Sequence, residues 1–324
     1  MNNLKTIFAG MALRNPVVVS SSGLTNNASN IKKIAEAGAG AVVLKSLFEE
    51  QILMETEHMS DANYAEANDY LKEYVRAHKL AEYIELIKES KKVCDIPVIA
   101  SINCFSDSEW IDFAQQIEEA GADALEINIL ALQSEKEYQY GSFEQKHIDI
   151  LAHVKKVTKL PVIMKLGDNL TNPVALIEQL YANGAAAVVL FNRFYQPDID
   201  INKMEHVSGE VFTNHSILSN SLRWTGIASA QVDKISYAIS GGVHHPEDVV
   251  KAILSGADAV EVCSTIYQNG MEQIGKMTDF LGKWMEEKGM DSVAQFKGRL
   301  NAKDVQGVNM WERTQFLKYF SQKK

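Results

Sequence analysis

Short, unbroken apolar runs punctuate the chain, and each ends abruptly in serine, asparagine, lysine or glycine. One set follows a helix that closes in Gly-Ala or a near variant. It comprises EAGAGAVVLKS (Glu36 to Ser46), EAGADALEIN (Glu119 to Asn128), ANGAAAVVLFN (Ala182 to Asn192) and LSGADAVEVCS (Leu254 to Ser264). Four copies of one phrase mark an internal repeat. A second set is introduced by proline or a polar linker: NPVVVSSSG (Asn15 to Gly23), IPVIASIN (Ile96 to Asn103), LPVIMKLG (Leu160 to Gly167) and SYAISGG (Ser236 to Gly242). Interleaved, the sets predict about eight strands alternating with helices. Continuous apolar strands suit a parallel sheet covered by helices. Connectors such as Ser29 to Glu36 and Asp107 to Glu119 carry the 3.6-residue apolar period, with Ser106 or Asp107 as N-cap. The expected fold is α/β, a (β/α)8 TIM barrel.

Two connections are too long for simple units, one after strand two and one after strand six. Leu47 to Cys94 holds an acidic, tyrosine-bearing segment, Glu49 to Tyr74, before a helix ending near Ser90. Phe194 to Lys234 is the other. Such insertions on the C-terminal face serve as lids or substrate walls, or else as interface and decoration. From about Met271 a helical extension should pack on the barrel, with Phe280, Leu281 and Trp284 on one face. The 324 residues, 46% of them hydrophobic, can fill one large core, so a single domain spanning residues 1–324 is expected.

Charge narrows the partners. A net charge of -10 and a pI near 5.4 argue against nucleic acid or an anionic membrane. The start, MNNLKTIFAG, resembles no leader, and no apolar run approaches the ~20 residues that span a bilayer. Cys94, Cys104 and Cys263 are an odd three at no paired spacing, so neither a disulfide framework nor a zinc site is implied, and a reducing cytoplasm is expected.

Barrel enzymes carry their chemistry at the C-terminal strand ends. Here those ends are Ser20-Ser21-Ser22-Gly23, Lys45-Ser46, Asn103, Asn128, Lys165, Asn192, Ser240-Gly241-Gly242 and Cys263-Ser264-Thr265. The last two follow successive strands. Glycine there admits an anion to main-chain amides, and the hydroxyls donate to its oxygens, so a phosphate is expected; a plain connector is the alternative. Lys45 and Lys165 end apolar strands and need partners. Either Glu126 pairs with one of them, or both face an electron-rich ligand. A phosphate, three Asn amides and two lysines suit a flat heterocycle rich in acceptors, such as flavin mononucleotide (FMN), better than a sugar phosphate.

These residues also resemble a known family. Asn15-Pro16 with Ser21-Ser22-Gly23, Lys45-Ser46, the EIN of Glu126 to Asn128, Lys165, Asn192, Gly241-Gly242 and Ser264-Thr265 are similar to the FMN-dependent dihydroorotate dehydrogenases, up to about Gly270. The resemblance implies that Ser21, Ser22 and Gly23 lie along the flavin. It implies that Lys45 and Lys165 contact its ring or ribityl part, and that Asn128 and Asn192 bridge flavin and substrate. Gly242, Ser264 and Thr265 then hold the phosphate. A cation at the N1/C2 edge stabilises reduced flavin.

Departures limit the resemblance. Where authentic members continue N-x-S-C-P-N, this chain reads Asn128-Ile129-Leu130-Ala131-Leu132-Gln133, so the Cys base position is Ala131. Ser134 and Ser142 stand out of frame. SLFEEQI resembles a dihydroorotate dehydrogenase-like subgroup. Cys104 is a nucleophile or a small core residue, and Cys263 is read as core. His244-His245 neutralise phosphate or cap a helix, Tyr138 and Tyr140 donate a proton or anchor a loop, and Glu49 and Glu50 act as acid and base or start a solvated helix. Three functions remain open: hydride transfer between a small substrate, dihydroorotate included, and flavin; a flavin-binding subunit working with an electron-transfer partner; and a lyase using Lys45 or Lys165 as Schiff-base nucleophile. A homodimer is implied by the resemblance alone.

Overall fold

A computed structural model describes residues 3–48, 65–103, 111–304 and 311. All eight predicted strands form within that span: Val17–Val19, Ala41–Val43, Val98–Asn103, Ala124–Asn128, Val162–Gly167, Ala187–Asn192, Ser236–Ser240 and Ala259–Val262, called strands one to eight below. Every neighbouring pair is parallel. Strand eight returns to strand one, with Val260 opposite Val17, and strand three closes on strand two, with Val42 opposite Val98. The chain is a (β/α)8 barrel.

The Gly-Ala repeat has a local cause. In all four copies the glycine has φ between +91° and +120°, a left-handed stop that other residues adopt only at a cost. Its N–H turns back to the carbonyl of Ala35, Glu118, Tyr181 or Ile253, and the next N–H reaches Ile34, Ile117, Leu180 or Ala252. That pair of bonds is a Schellman cap. One residue further on, Gly40, Asp123, Ala186 and Asp258 each donate to the preceding strand, at Val17, Val98, Val162 and Tyr237. The repeated phrase therefore ends a helix and sets the register of the next strand together.

Inside the barrel the two-residue strand period divides the axis into layers. Val18, Val43, Ile99, Ala124, Ile163, Ala238 and Ala259 form an apolar lower layer with Phe8 and Leu13, which belong to a hairpin, Thr6–Phe8 with Met11–Leu13, packed against the same cluster. Two residues later each strand turns polar: Ser20, Lys45, Ser101, Glu126, Lys165, Ser240 and Glu261. A larger apolar cluster lies between barrel and helices.

Strand two is only three residues long, and the chain rejoins strand three later through Leu47–Phe48, opposite Ile102 and Asn103. Between those contacts the Ser101 backbone is served by Tyr83, from the helix Ala65–Val93. The Tyr83 hydroxyl accepts the Ser101 N–H at 2.6 Å and donates to the Ser101 carbonyl at 3.0 Å. A side chain thus replaces a missing stretch of ladder.

Several expectations are refined. The helix after strand three is described from Ile111 to Glu119; Cys104, Ser106 and Asp107 lie outside the described residues. So do Glu49, Glu50 and the rest of residues 49–64, while the helix expected to end near Ser90 continues to Val93. The insertion after strand six contains an unforeseen hairpin, Pro197–Asp200 with Glu205–Ser208. In the extension, Glu272–Glu287 buries Ile274, Met277, Leu281 and Met285, with Phe280 and Trp284 half-buried at its flank.

Two substitutions separate strain from collision. Gly38→Ala meets no atom and should cost only the left-handed backbone, about 1 to 2 kcal/mol. Gly40→Ala would place its Cβ 2.0 Å from the Asn15 carbonyl oxygen and should destabilise far more, by upwards of about 4 kcal/mol. Denaturant midpoints compare them. Tyr83→Phe should cost about 2 to 4 kcal/mol by leaving the Ser101 N–H and carbonyl buried and unpaired, and an unchanged midpoint would contradict that role.

Candidate active site

The polar strand ends enclose a cavity of about 800 Å³ at the C-terminal mouth. It is lined by Ser21, Ser22 and Gly23 from strand one, Lys45 and Ser46 from strand two, and Asn103, Asn128 and Lys165 from strands three to five. Asn192, Gly241, Gly242 and Ser264 complete it from strands six to eight. Residues read as distant points along the sequence thus meet in one volume of the size of a cofactor site.

A hydrogen-bonded chain runs across its floor. Ser21 Oγ lies 3.0 Å from Ser46 Oγ and accepts the Ser46 N–H at 2.8 Å. Ser46 Oγ is 2.8 Å from Ser101 Oγ, which accepts from Asn128 Nδ2 at 3.2 Å. Asn128 Oδ1 then accepts from Asn192 Nδ2 at 3.0 Å, and Asn192 Oδ1 takes the Arg193 N–H at 2.8 Å. Five strands are tied by this one chain, whose members fix each other's orientation.

The two lysines are in unlike surroundings. Lys165 Nζ sits 2.5 Å from Glu261 Oε2, 3.0 Å from Ser20 Oγ and 3.4 Å from Glu126 Oε1. Burial alone would push its ammonium down, but the charges of Glu126 and Glu261 outweigh burial and hold it above its ordinary value. A Schiff-base nucleophile needs a neutral amine, so Lys165 does not serve the lyase reading. Lys45 lines the cavity, and among the described residues no acid lies within ion-pair distance of it. The expected pairing with Glu126 is therefore real but incomplete: Glu261 is the closer partner. Glu261 was legible, since it follows Ala259 by two residues in an apolar strand just as Lys165 follows Ile163.

At the expected phosphate end, Thr265, Gly242 and Cys263 have neighbours that the sequence does not announce. Thr265 does not line the cavity: its buried hydroxyl donates to the His244 carbonyl at 3.2 Å, leaving only its backbone for a ligand. Gly242, at φ +74°, lines the cavity and would set a Cβ 2.5 Å from Leu218 N, so glycine there admits the close approach of a helix start. Cys263, read as core, lines the cavity, and burial pushes its thiol up. Ser264 lines the cavity, and its Oγ accepts the Thr213 N–H at 3.0 Å, leaving its proton to donate. Gly241, Gly242 and Val243 donate no N–H to an acceptor among the described residues. Free amides beside a free hydroxyl are a suitable donor set for phosphate, so the residues present fit a flavin nucleotide.

Other candidates fall away from the cavity. Ala131 does not line it; Leu130 does, and the Ala131 carbonyl accepts from Asn169 at 3.0 Å. Neither residue can take a proton. Ser134, Ser142, Tyr138 and Tyr140 do not line it either; the Tyr138 hydroxyl accepts the Phe143 N–H at 3.4 Å as a loop anchor. His245 caps the helix Pro246–Ser255 with Asp248, and His244 Nε2 meets Thr213 Oγ1 at 3.1 Å. Arg193 to Tyr195 and Val211 to Thr213, flanking the new hairpin, line the cavity. Among the described residues no cluster of His, Cys, Asp and Glu could hold a metal, and no helix is long and apolar enough to cross a membrane.

Comparison with known proteins agrees with this geometry. The chain is 27% identical over 308 residues to the dihydroorotate dehydrogenase B (NAD(+)) catalytic subunit of Thermoplasma volcanium, covering 92% of this chain and 98% of that one. It is 29% identical over 282 residues to the corresponding Methanocella arvoryzae subunit, covering 80% and 86%. With the NAD-dependent dihydropyrimidine dehydrogenase subunit PreA of Escherichia coli K12 it shares 24% identity over 319 residues, 92% of this chain and 77% of that one. The family model described as dihydroorotate dehydrogenase matches residues 3–285, and the chain therefore belongs to the dihydroorotate dehydrogenase family of flavin-dependent oxidoreductases.

Proposed function

We propose that the protein is an FMN-dependent oxidoreductase moving hydride between flavin and a CH–CH bond of a small, pyrimidine-like ring. The observation that carries this is that Lys45, Lys165, Asn128 and Asn192 line the same cavity as Gly241, Gly242 and Ser264. Bound there, FMN would supply the hydride acceptor. Lys45 and Lys165 would bring positive charge to its ring, Ser21 and Ser22 would line its length, and Ser264 with the Gly241–Val243 amides would hold its phosphate. Asn128 and Asn192, oriented by the floor chain, would present amides to flavin and substrate. The whole chain is read as one such unit.

The base marks the departure. Ala131 and Leu130 offer no proton acceptor where the family resemblance puts a cysteine, so dihydroorotate is a poor fit and a related ring a better one. This favours a second form of the same reading, a flavin-binding subunit that works on another substrate or through a partner chain. Its support is that the relatives above are named as subunits, and that the chain has no Cys pair for an iron–sulfur cluster to carry electrons away. Exposed Ile199, Ile201 and Met204 on the hairpin by the mouth offer apolar surface to a second copy or a partner. The free thiols of Cys94 and Cys263 suit a cytoplasmic setting.

Anaerobic mixing of the FMN-loaded protein with dihydroorotate or dihydrouracil tests the substrate reading. Flavin bleaching by dihydroorotate should run about 10²- to 10⁴-fold slower than in a relative that has its base. Bleaching at the relative's rate would sink the missing-base argument. Ser264→Ala should weaken FMN retention by about 10- to 100-fold through loss of one charge-assisted hydrogen bond, read by flavin fluorescence on dilution. Unchanged retention would place the phosphate elsewhere.

A further inference from the structure

Two carboxyl groups and one ammonium lie together at and beneath the cavity floor, and their charges do not balance. Lys165 and Glu261 line the cavity, whereas Glu126 lies behind them and all three are buried. Fully ionised, the trio would hold a net negative charge away from solvent, which is costly. Each glutamate also has one buried oxygen that no N–H or O–H of the described residues reaches, Glu126 Oε2 and Glu261 Oε1. Both carboxyls converge on the one Lys165 ammonium. A proton kept on one of the two cancels the excess charge and turns an oxygen of that carboxyl into a donor.

Glu126 is the holder. Glu261 has the short contact to Lys165 and also accepts from Ser20 Oγ at 2.9 Å. Glu126 has only long contacts, to Lys165 at 3.4 Å and to Asn128 Nδ2 at 3.5 Å. Burial, with the adjoining Glu261 charge, pushes Glu126 up to about 8 against the pull of Lys165. For Glu261 burial pushes upward, but the Lys165 charge together with the hydrogen bonds from Lys165 and Ser20 outweighs it and holds the carboxyl below its ordinary value. The other titratable groups facing the trio are Tyr83 and Cys263, both held above their ordinary values by burial. Lys165 is thus the one cation of this group.

Resting on the flavin reading above, we propose that Glu126 and Glu261 are positioning residues that set how Lys165 answers negative charge arriving in the cavity. Glu261 restrains the ammonium, and Glu126 carries the proton that keeps the trio neutral. Hydride transfer brings two electrons and one proton into the cavity, which gains one negative charge. That charge favours the protonated form of Glu126 and raises its affinity for a proton. Where Glu126 is ionised beforehand, one proton from solvent forms one O–H bond on it, and no bond in the protein breaks. The extra uptake therefore belongs to the pH range above neutrality. Below it Glu126 holds its proton before and after transfer.

The first test needs no flavin. Infrared spectra of the wild-type apoprotein should show a protonated carboxyl band at neutral pH that fades only as the pH rises past about 8. The band should be missing from Glu126→Gln. Its absence from the wild type, or its persistence in the variant, overturns the placement of the proton. The second test is a spectroelectrochemical titration of FMN-loaded protein across pH. Wild type should take up more than one proton per flavin reduced above neutrality, and Glu126→Gln one throughout. Glu261→Gln, with Lys165 released, should favour reduced over oxidised FMN by about tenfold or more. Equal proton uptake in wild type and Glu126→Gln, or an unchanged preference in Glu261→Gln, overturns the role. A wild type that binds no FMN overturns the redox role together with the flavin reading, while the infrared band still decides where the proton sits.

Discussion

A closed parallel barrel forces every second residue of eight strands onto one narrow axis, and that constraint shapes everything above it. Small and branched apolar residues fill the lower layer, and the hairpin carrying Phe8 and Leu13 packs against them. The next inward step on seven of the strands is polar or charged, from Ser20 through Glu261. Buried polar groups need partners. Ser20, Glu126, Lys165 and Glu261 find them in one ionic group, and Ser101 finds its own in the hydroxyl and amide chain from Ser21 to Asn192, whereas Lys45 is left facing the cavity. The floor of the cavity is the solution to a packing problem before it is a place for chemistry.

The division between the lysines follows from the same geometry. Lys165, an inward residue of strand five, falls between glutamates of strands four and eight and is held by them. Lys45 lies just past the end of short strand two, where the chain leaves the sheet and Tyr83 closes the gap. One cation is restrained inside the protein, and the other stands toward the cavity with its charge available. A site that must accept an electron-rich ring and tolerate its change of charge can use both.

Much of this could be read from the residues alone. Continuous apolar runs located all eight strands, because in a helix-covered barrel both strand faces are dry. The Gly-Ala phrase located four helix ends, since the Schellman cap is a local device written in adjacent residues. Long-range accommodations were not legible. Nothing near Tyr83 says that its hydroxyl will replace backbone on strand three, and the hairpin at 197–208 has no alternation strong enough to announce it. A glycine such as Gly242, or a hydroxyl such as that of Thr265, looks the same in sequence whether it serves a ligand or a neighbouring piece of the chain. Glu261 followed the same period as Lys165 and was passed over.

The central claim is that this cavity is built for a flavin nucleotide with its phosphate at the Ser264 side. The absorption spectrum of the purified protein, with any released chromophore identified by mass, tests it most directly. A flavin spectrum and the mass of FMN, held in about one copy per chain, is the predicted result. A colourless protein that also fails to take up added FMN would contradict it.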